Sequence, residues 1–149
     1  MTYKYVLGLL KAGLYQEFFT ELKTNLVCFM NPEVYGRSIL ENSSFIATSN
    51  NPNPHIHGQG FFARLSGSTV ETLNIWTLMM LGKEPFRYEN GVLVFEPRPI
   101  IEKSFFNRNH RLSFKFLSKT MITYINEKQK DTFDNSLIYR YELIDSEER

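Results

Sequence analysis

The chain has 149 residues, a formal net charge of +1, 42% hydrophobic and 15% aromatic residues, which is apolar material enough for one domain, or two small ones, around a real core. That excludes a disordered tail. Seventeen Lys+Arg against sixteen Asp+Glu removes the usual electrostatic case for nucleic acid or an anionic membrane surface as partner.

Residues Tyr3 to Thr24 carry Val6, Leu7, Leu10, Leu14, Phe18 and Leu22 at spacings of three and four, the pattern of an amphipathic helix, with Gly8 and Gly13 as its weak points. The start has no small-residue cleavage site, and no window reaches the roughly 18 apolar residues of a membrane span, so neither a signal peptide nor a transmembrane segment is expected. The single Cys28 lies in the apolar run Leu26–Met30. It has no partner for an internal disulfide and fits a cytoplasmic chain.

From Asn31 to Ser68 the text turns to Asn-Pro, Ser-Ser, Asn-Asn-Pro-Asn-Pro and Gly-Gln-Gly, which is turn chemistry without a helical period. A long loop is expected over 31–68, and loops of that length are often functional. A helix follows with a capping box, Ser68-Thr69-Val70-Glu71, in which the Glu reaches back to the cap. It runs through Leu73, Ile75, Trp76, Leu78, Met79, Met80 and Leu81, and stops at Gly82 with Pro85 beyond,. Being apolar on most faces, it needs more helical neighbours than one preceding helix supplies.

After Pro85 the pattern changes to strands: Val92–Glu96, entered through a turn at Glu89-Asn90-Gly91, then Leu112–Leu117, Met121–Ile125 and Ser136–Leu143,. Most of the charge lies after Gly82, as in a β module with one face in solvent.

The strongest chemical feature is Arg64-Leu65-Ser66-Gly67-Ser68-Thr69 running into the capped helix. A helix N-terminus offers unpaired N–H groups and partial positive charge, and a Ser-Gly-Ser approach lets an anion come close, with Arg64 as a further donor. Alternatively Ser66 and Ser68 serve only as caps. His55, His57 and His110 lack the ligand spacing of a metal site, no Ser lies in a nucleophile elbow, and Glu33 and Glu41 have no spacing that makes them a carboxylate pair.

The order of motifs resembles the C-terminal end of inverting glycoside phosphorylases of the cellobiose, chitobiose and laminarin-oligosaccharide type. The matching pieces are Asn31-Pro32-Glu33-Val34-Tyr35-Gly36-Arg37-Ser38, Glu41-Asn42-Ser43-Ser44-Phe45, Gly58-Gln59-Gly60-Phe61, Leu65-Ser66-Gly67-Ser68-Thr69, and Leu81-Gly82 before Gly91-Val92-Leu93-Val94-Phe95-Glu96-Pro97. The resemblance implies an α+β chain: the last helices of an (α/α)6 barrel over 1–84, with the active-site loop at 31–68, followed by a small antiparallel jelly-roll-like module over 85–149. It also implies that Ser66 and Gly67 bind the attacking phosphate; Ser68, in the same approach to the helix, is expected to bind it with them, and Glu41 and Arg64 are the expected substrate-binding residues.

In that family one Asp protonates the glycosidic oxygen while inorganic phosphate, a co-substrate and not a cofactor, attacks the anomeric carbon from the opposite face. The motif carrying that Asp precedes the part matched here, as does the family's phosphate-binding His. No residue of this chain is therefore given a catalytic role, and Asp131, Asp134 and Asp145 match neither position. The expected partners are an oligosaccharide and phosphate in the intact enzyme, and a companion chain carrying the rest of the barrel. Where disaccharide-specific members carry Glu-Pro and aromatics this chain has Glu41-Asn42-Ser43-Ser44, which points to a divergent, longer-glucan branch. Two other readings stand beside this one: a non-catalytic carbohydrate-binding or partner-docking module, and an independent α+β domain.

Overall fold

The first helical stretch is two helices. In the computed structural model, which describes residues 2–63, 67–134 and 140–145, α1 spans Thr2–Ala12 and α2 spans Tyr15–Asn25. Gly13, at φ +79°, lets the chain leave α1 with its N–H on the Leu10 carbonyl (3.2 Å) and the Leu14 N–H on that of Leu9 (3.1 Å). This is the paired-bond C-terminal stop that favours glycine. The helices pack on each other and bury Val6, Leu7 and Leu10 from α1 and Phe18, Phe19 and Leu22 from α2. Each such side chain contributes about 1.5–3 kcal/mol by leaving water. Phe18 and Phe19 meet edge to face at 4.8 Å between ring centres.

The expected long loop over 31–68 is largely ordered structure. Helix α3, Pro32–Tyr35, is one turn long. The Asn31 side chain accepts from the Glu33 N–H at 3.0 Å, Pro32 opens it, and Gly36 closes it in the left-handed region,. Strands β1 (Ser43–Ile46) and β2 (Gly60–Ala63) then pair antiparallel, with Phe45 opposite Phe61 and Ile46 opposite Gly60. The asparagines between them build successive side-chain turns. Asn51 Oδ1 accepts from the Asn53 N–H at 2.9 Å, and Asn53 Oδ1 from the His55 N–H at 3.1 Å. His57 Nε2 lies 2.8 Å from the Asn51 carbonyl, and Ala47 exchanges backbone bonds with Gln59 and Gly58. The turn chemistry is as read; it closes a hairpin.

Helix α4 runs from Gly67 to Leu81, and the chain divides within it into two compact units, Met1–Thr77 and Leu78–Arg149. In the second unit Met79, Met80 and Leu81 are buried, and the Met79 and Leu81 carbonyls accept from the N–H groups of Ile100 (2.7 Å) and Arg98 (2.9 Å). Strands β3 (Phe86–Glu89) and β4 (Val92–Phe95) form a hairpin through Asn90 and Gly91, both at positive φ,. Strands β5 (Arg111–Phe116), β6 (Thr120–Ile125) and β7 (Arg140–Asp145) form an antiparallel sheet in that order. The expected last strand began at Ser136; residues 136–139 lie outside the described residues. Tyr124, fully buried on β6, donates its hydroxyl proton to the Met80 carbonyl at 2.7 Å and so ties the sheet to the end of α4.

The described residues are thus mixed α+β, with four α-helices and three small antiparallel sheets. No helix among them is long and apolar enough to cross a membrane.

Candidate functional site

Of the expected anion site, Arg64, Leu65 and Ser66 lie outside the described residues. What is described is where the helix begins. Gly67 is the first residue of α4, so Ser68 is in its first turn and not in the cap position expected of it. The first N–H groups of a helix have no intrahelical acceptor, and they carry the positive end of the helix dipole. Glu71, expected to reach back to Ser68, instead has Oε1 4.0 Å from the Lys4 ammonium, while Oε2 is buried with no hydrogen-bond partner among the described residues. With the Lys4 side chain mostly in solvent, that ion pair contributes under about 1 kcal/mol.

Glu41 sits in a tight knot. Its carboxylate pairs with the Arg37 guanidinium, one helical turn earlier in spacing. Arg37 also donates from Nε to the Gly60 carbonyl at 2.9 Å. The Glu41 carbonyl accepts the Tyr35 hydroxyl at 2.7 Å, and that hydroxyl lies 2.6 Å from Ser43 Oγ. Tyr35 is fully buried, Ser43 nearly so. Gly60 closes the knot by close approach: a Cβ there would fall 2.3 Å from both Ser43 Oγ and Tyr35 Cε2. Three separate sequence pieces, 31–38, 41–45 and 58–61, meet in this one cluster. Glu41 keeps 41% of its side-chain surface exposed, so it is oriented by Arg37 without being enclosed.

The sequence reading singled out Glu41 and passed over Tyr35, Arg37, Ser43 and Gly60. A signal was present in Gly58-Gln59-Gly60, since a glycine outside a turn marks a place where other chain comes near. Just beyond, Phe62 has φ +57°, an unusual conformation for a bulky residue that costs about 1–3 kcal/mol. Its ring meets Phe45 edge to face at 6.4 Å, and both rings are largely exposed.

No group of three His, Cys, Asp or Glu among the described residues is placed to hold a metal ion. His57 is engaged by the Asn51 backbone, and His110 lies 3.4 Å from the Gln129 amide. Asp131 accepts the Lys103 N–H at 2.9 Å, a structural use of the carboxylate. Partial burial pushes the Cys28 thiol above its usual pKa, against a smaller opposing effect of a backbone hydrogen bond.

Compared with protein-family models, curated proteins and solved structures, the chain finds no match.

Proposed function

We propose that the chain is the C-terminal part of a cytoplasmic inverting glycoside phosphorylase, containing the last helices of its (α/α)6 barrel followed by a small antiparallel, jelly-roll-like module. In the intact enzyme Ser66, Gly67 and Ser68 hold the attacking phosphate, and Glu41 and Arg64 contact a β-linked oligosaccharide. The observation that carries this reading is the knot: residues of three resembling motifs, Tyr35 and Arg37, Glu41 and Ser43, and Gly60, are mutually bonded.

The chemistry follows from the parts. Phosphate carries the charge that a helix N-terminus and hydroxyl donors compensate, and it replaces the activated water of an inverting hydrolase, so no second carboxylate base is needed. The general acid comes from outside this chain, which alone is therefore inactive in phosphorolysis. The exposed apolar side chains Leu40, Val70 and Leu73 support a companion surface such as the rest of the barrel.

The test begins with the DNA upstream of this reading frame. A frame encoding the barrel with its acid Asp, co-expressed with this chain, should give phosphate-dependent cleavage of β-linked oligosaccharides, weakened by Ser66→Ala. Phosphate release by the purified chain alone from sugar 1-phosphate and an acceptor would refute its inactivity. Absence of any such frame would count against the enzyme reading.

The exposed Phe45–Phe62 pair favours a second reading, a non-catalytic carbohydrate-binding or partner-docking module. Under it the chain self-associates or binds a partner on its own, and a monodisperse monomer that binds no hydrophobic dye argues against it.

A further inference from the structure

Within the first unit a cavity of about 220 Å³ opens among the start of α1, the end of α2, and β1 with its flanking residues. It is below the roughly 300–1,000 Å³ that takes drug-sized ligands, so its occupant is a single small molecule. The polar part of its wall includes Tyr3, Asn25, Asn42, Ser44 and Thr48, with further hydroxyls from Thr2, Thr24 and Ser43. None of these side chains is charged at neutral pH, and among the described residues no Lys, Arg, His, Asp or Glu lines the wall.

Local bonding fixes what the wall offers. The Tyr3 hydroxyl donates to Asn42 Oδ1 at 3.2 Å, joining α1 to the segment before β1. The Asn25 amide nitrogen donates to the Glu21 carbonyl and to Glu21 Oε2, both at 2.8 Å. That commits its donors and leaves Oδ1 as an acceptor. The Ser44 hydroxyl has no hydrogen bond among the described residues, and the Thr48 hydroxyl accepts one from the Asn50 N–H at 3.3 Å. Met30 and Ile46 add apolar surface.

We propose that this cavity binds one small neutral polyhydroxyl molecule, a single pyranose unit. An ion is disfavoured because no charged side chain among the described wall residues compensates it,. A purely apolar molecule is disfavoured because it would leave hydroxyls and amides desolvated without partners. A sugar satisfies both demands: its hydroxyls donate and accept as the Ser, Thr and Asn groups do, and its C–H face rests on Met30, Ile46 and the Tyr3 ring. This site goes beyond the proposed function, since it requires neither phosphate nor a general acid and lies on residues assigned to neither.

The experiment titrates the full chain with D-glucose, with inorganic phosphate and with cyclohexanol, following backbone amide resonances by NMR. Glucose is expected to give saturable shifts at Asn25, Asn42, Ser44 and Thr48 with a millimolar dissociation constant, while the other two probes leave those signals unmoved. Ser44→Ala and the near-isosteric Thr48→Val, each retaining a folded spectrum, should weaken glucose by about tenfold, the loss of one good hydrogen bond. Absence of saturable shifts, equal shifts from cyclohexanol or phosphate, or undiminished binding by both variants overturns the proposal. Because no phosphate or companion chain accompanies the glucose titration, its failure is separate from a failure of the phosphorylase reading.

Discussion

Replacing Gly60 by alanine tests the knot directly. The added methyl would lie 2.3 Å from Tyr35 Cε2 and from Ser43 Oγ, against about 3.5–4.0 Å for an ordinary carbon contact. Neither neighbour can retreat cheaply, because Tyr35 is fully buried and its hydroxyl is held at 2.7 and 2.6 Å. Overpacking of this kind costs about 1–3 kcal/mol, and shifting the ring far enough to break both hydrogen bonds adds about 1 kcal/mol each. The expected loss is therefore about 3–5 kcal/mol, or a fall in Tm of about 12 °C or more for a unit of this size. Urea and thermal unfolding followed by circular dichroism and tyrosine fluorescence measure it. Gly8→Ala is the internal control, since nothing lies within 4 Å of its added carbon and the position is in an exposed helix turn. It should stabilise by about 0.5–1 kcal/mol. If Gly60→Ala instead unfolds within about 1 kcal/mol of the parent, the close-packed knot is refuted.

Tyr35→Phe keeps the ring and deletes the hydroxyl, leaving the nearly buried Ser43 Oγ without that partner; the expected loss is about 1–3 kcal/mol in the same unfolding assay. In the second unit Thr132 Oγ1 accepts the Ile101 N–H at 2.7 Å and donates to the Pro99 carbonyl at 2.6 Å. Thr132→Val preserves shape but strands that N–H, so about 1–3 kcal/mol should be lost and the Ile101 amide should exchange faster with deuterium. Since only the thiolate is a nucleophile and the Cys28 pKa is raised from 9.0, alkylation by iodoacetamide should keep accelerating with pH through 9. A plateau reached near pH 8 would contradict that direction.

Legibility in the sequence followed how local the determining physics is. The Asn90-Gly91 turn and the alternation along β5 are written in adjacent residues, and both were readable. The break between α1 and α2 was not resolved: Leu10, Leu14, Phe18 and Leu22 keep a spacing of four straight through Gly13, and only the positive φ of Gly13 ends the first helix. The β1–β2 hairpin escaped because its strands are four residues long, contain Ser and Gly, and are separated by residues that read as loop. Nothing near Tyr35 in the sequence marks it as buried; its close contact is with Gly60, 25 positions away in the numbering. At α4 the Ser68 capping box placed the helix start two residues late, and the partner of Glu71 is Lys4 on α1, a relation no local motif encodes.

The bare backbone at Gly60 also bears on the order in which the first unit can assemble. Tyr35 and Ser43 are eight residues apart, so their contact closes on the scale of tens of nanoseconds, whereas pairing β2 onto β1 takes about microseconds, as for any hairpin. Ring and hydroxyl therefore meet many times before the second strand pairs. A strand carrying a side chain at that position would strike the ring before reaching register, while a glycine passes over it and lets the Arg37 bond to its carbonyl latch the pair. Substitutions at Gly60 should thus act on the rate of folding as well as on the final stability, making this residue a kinetic gate for the segment that leads into α4.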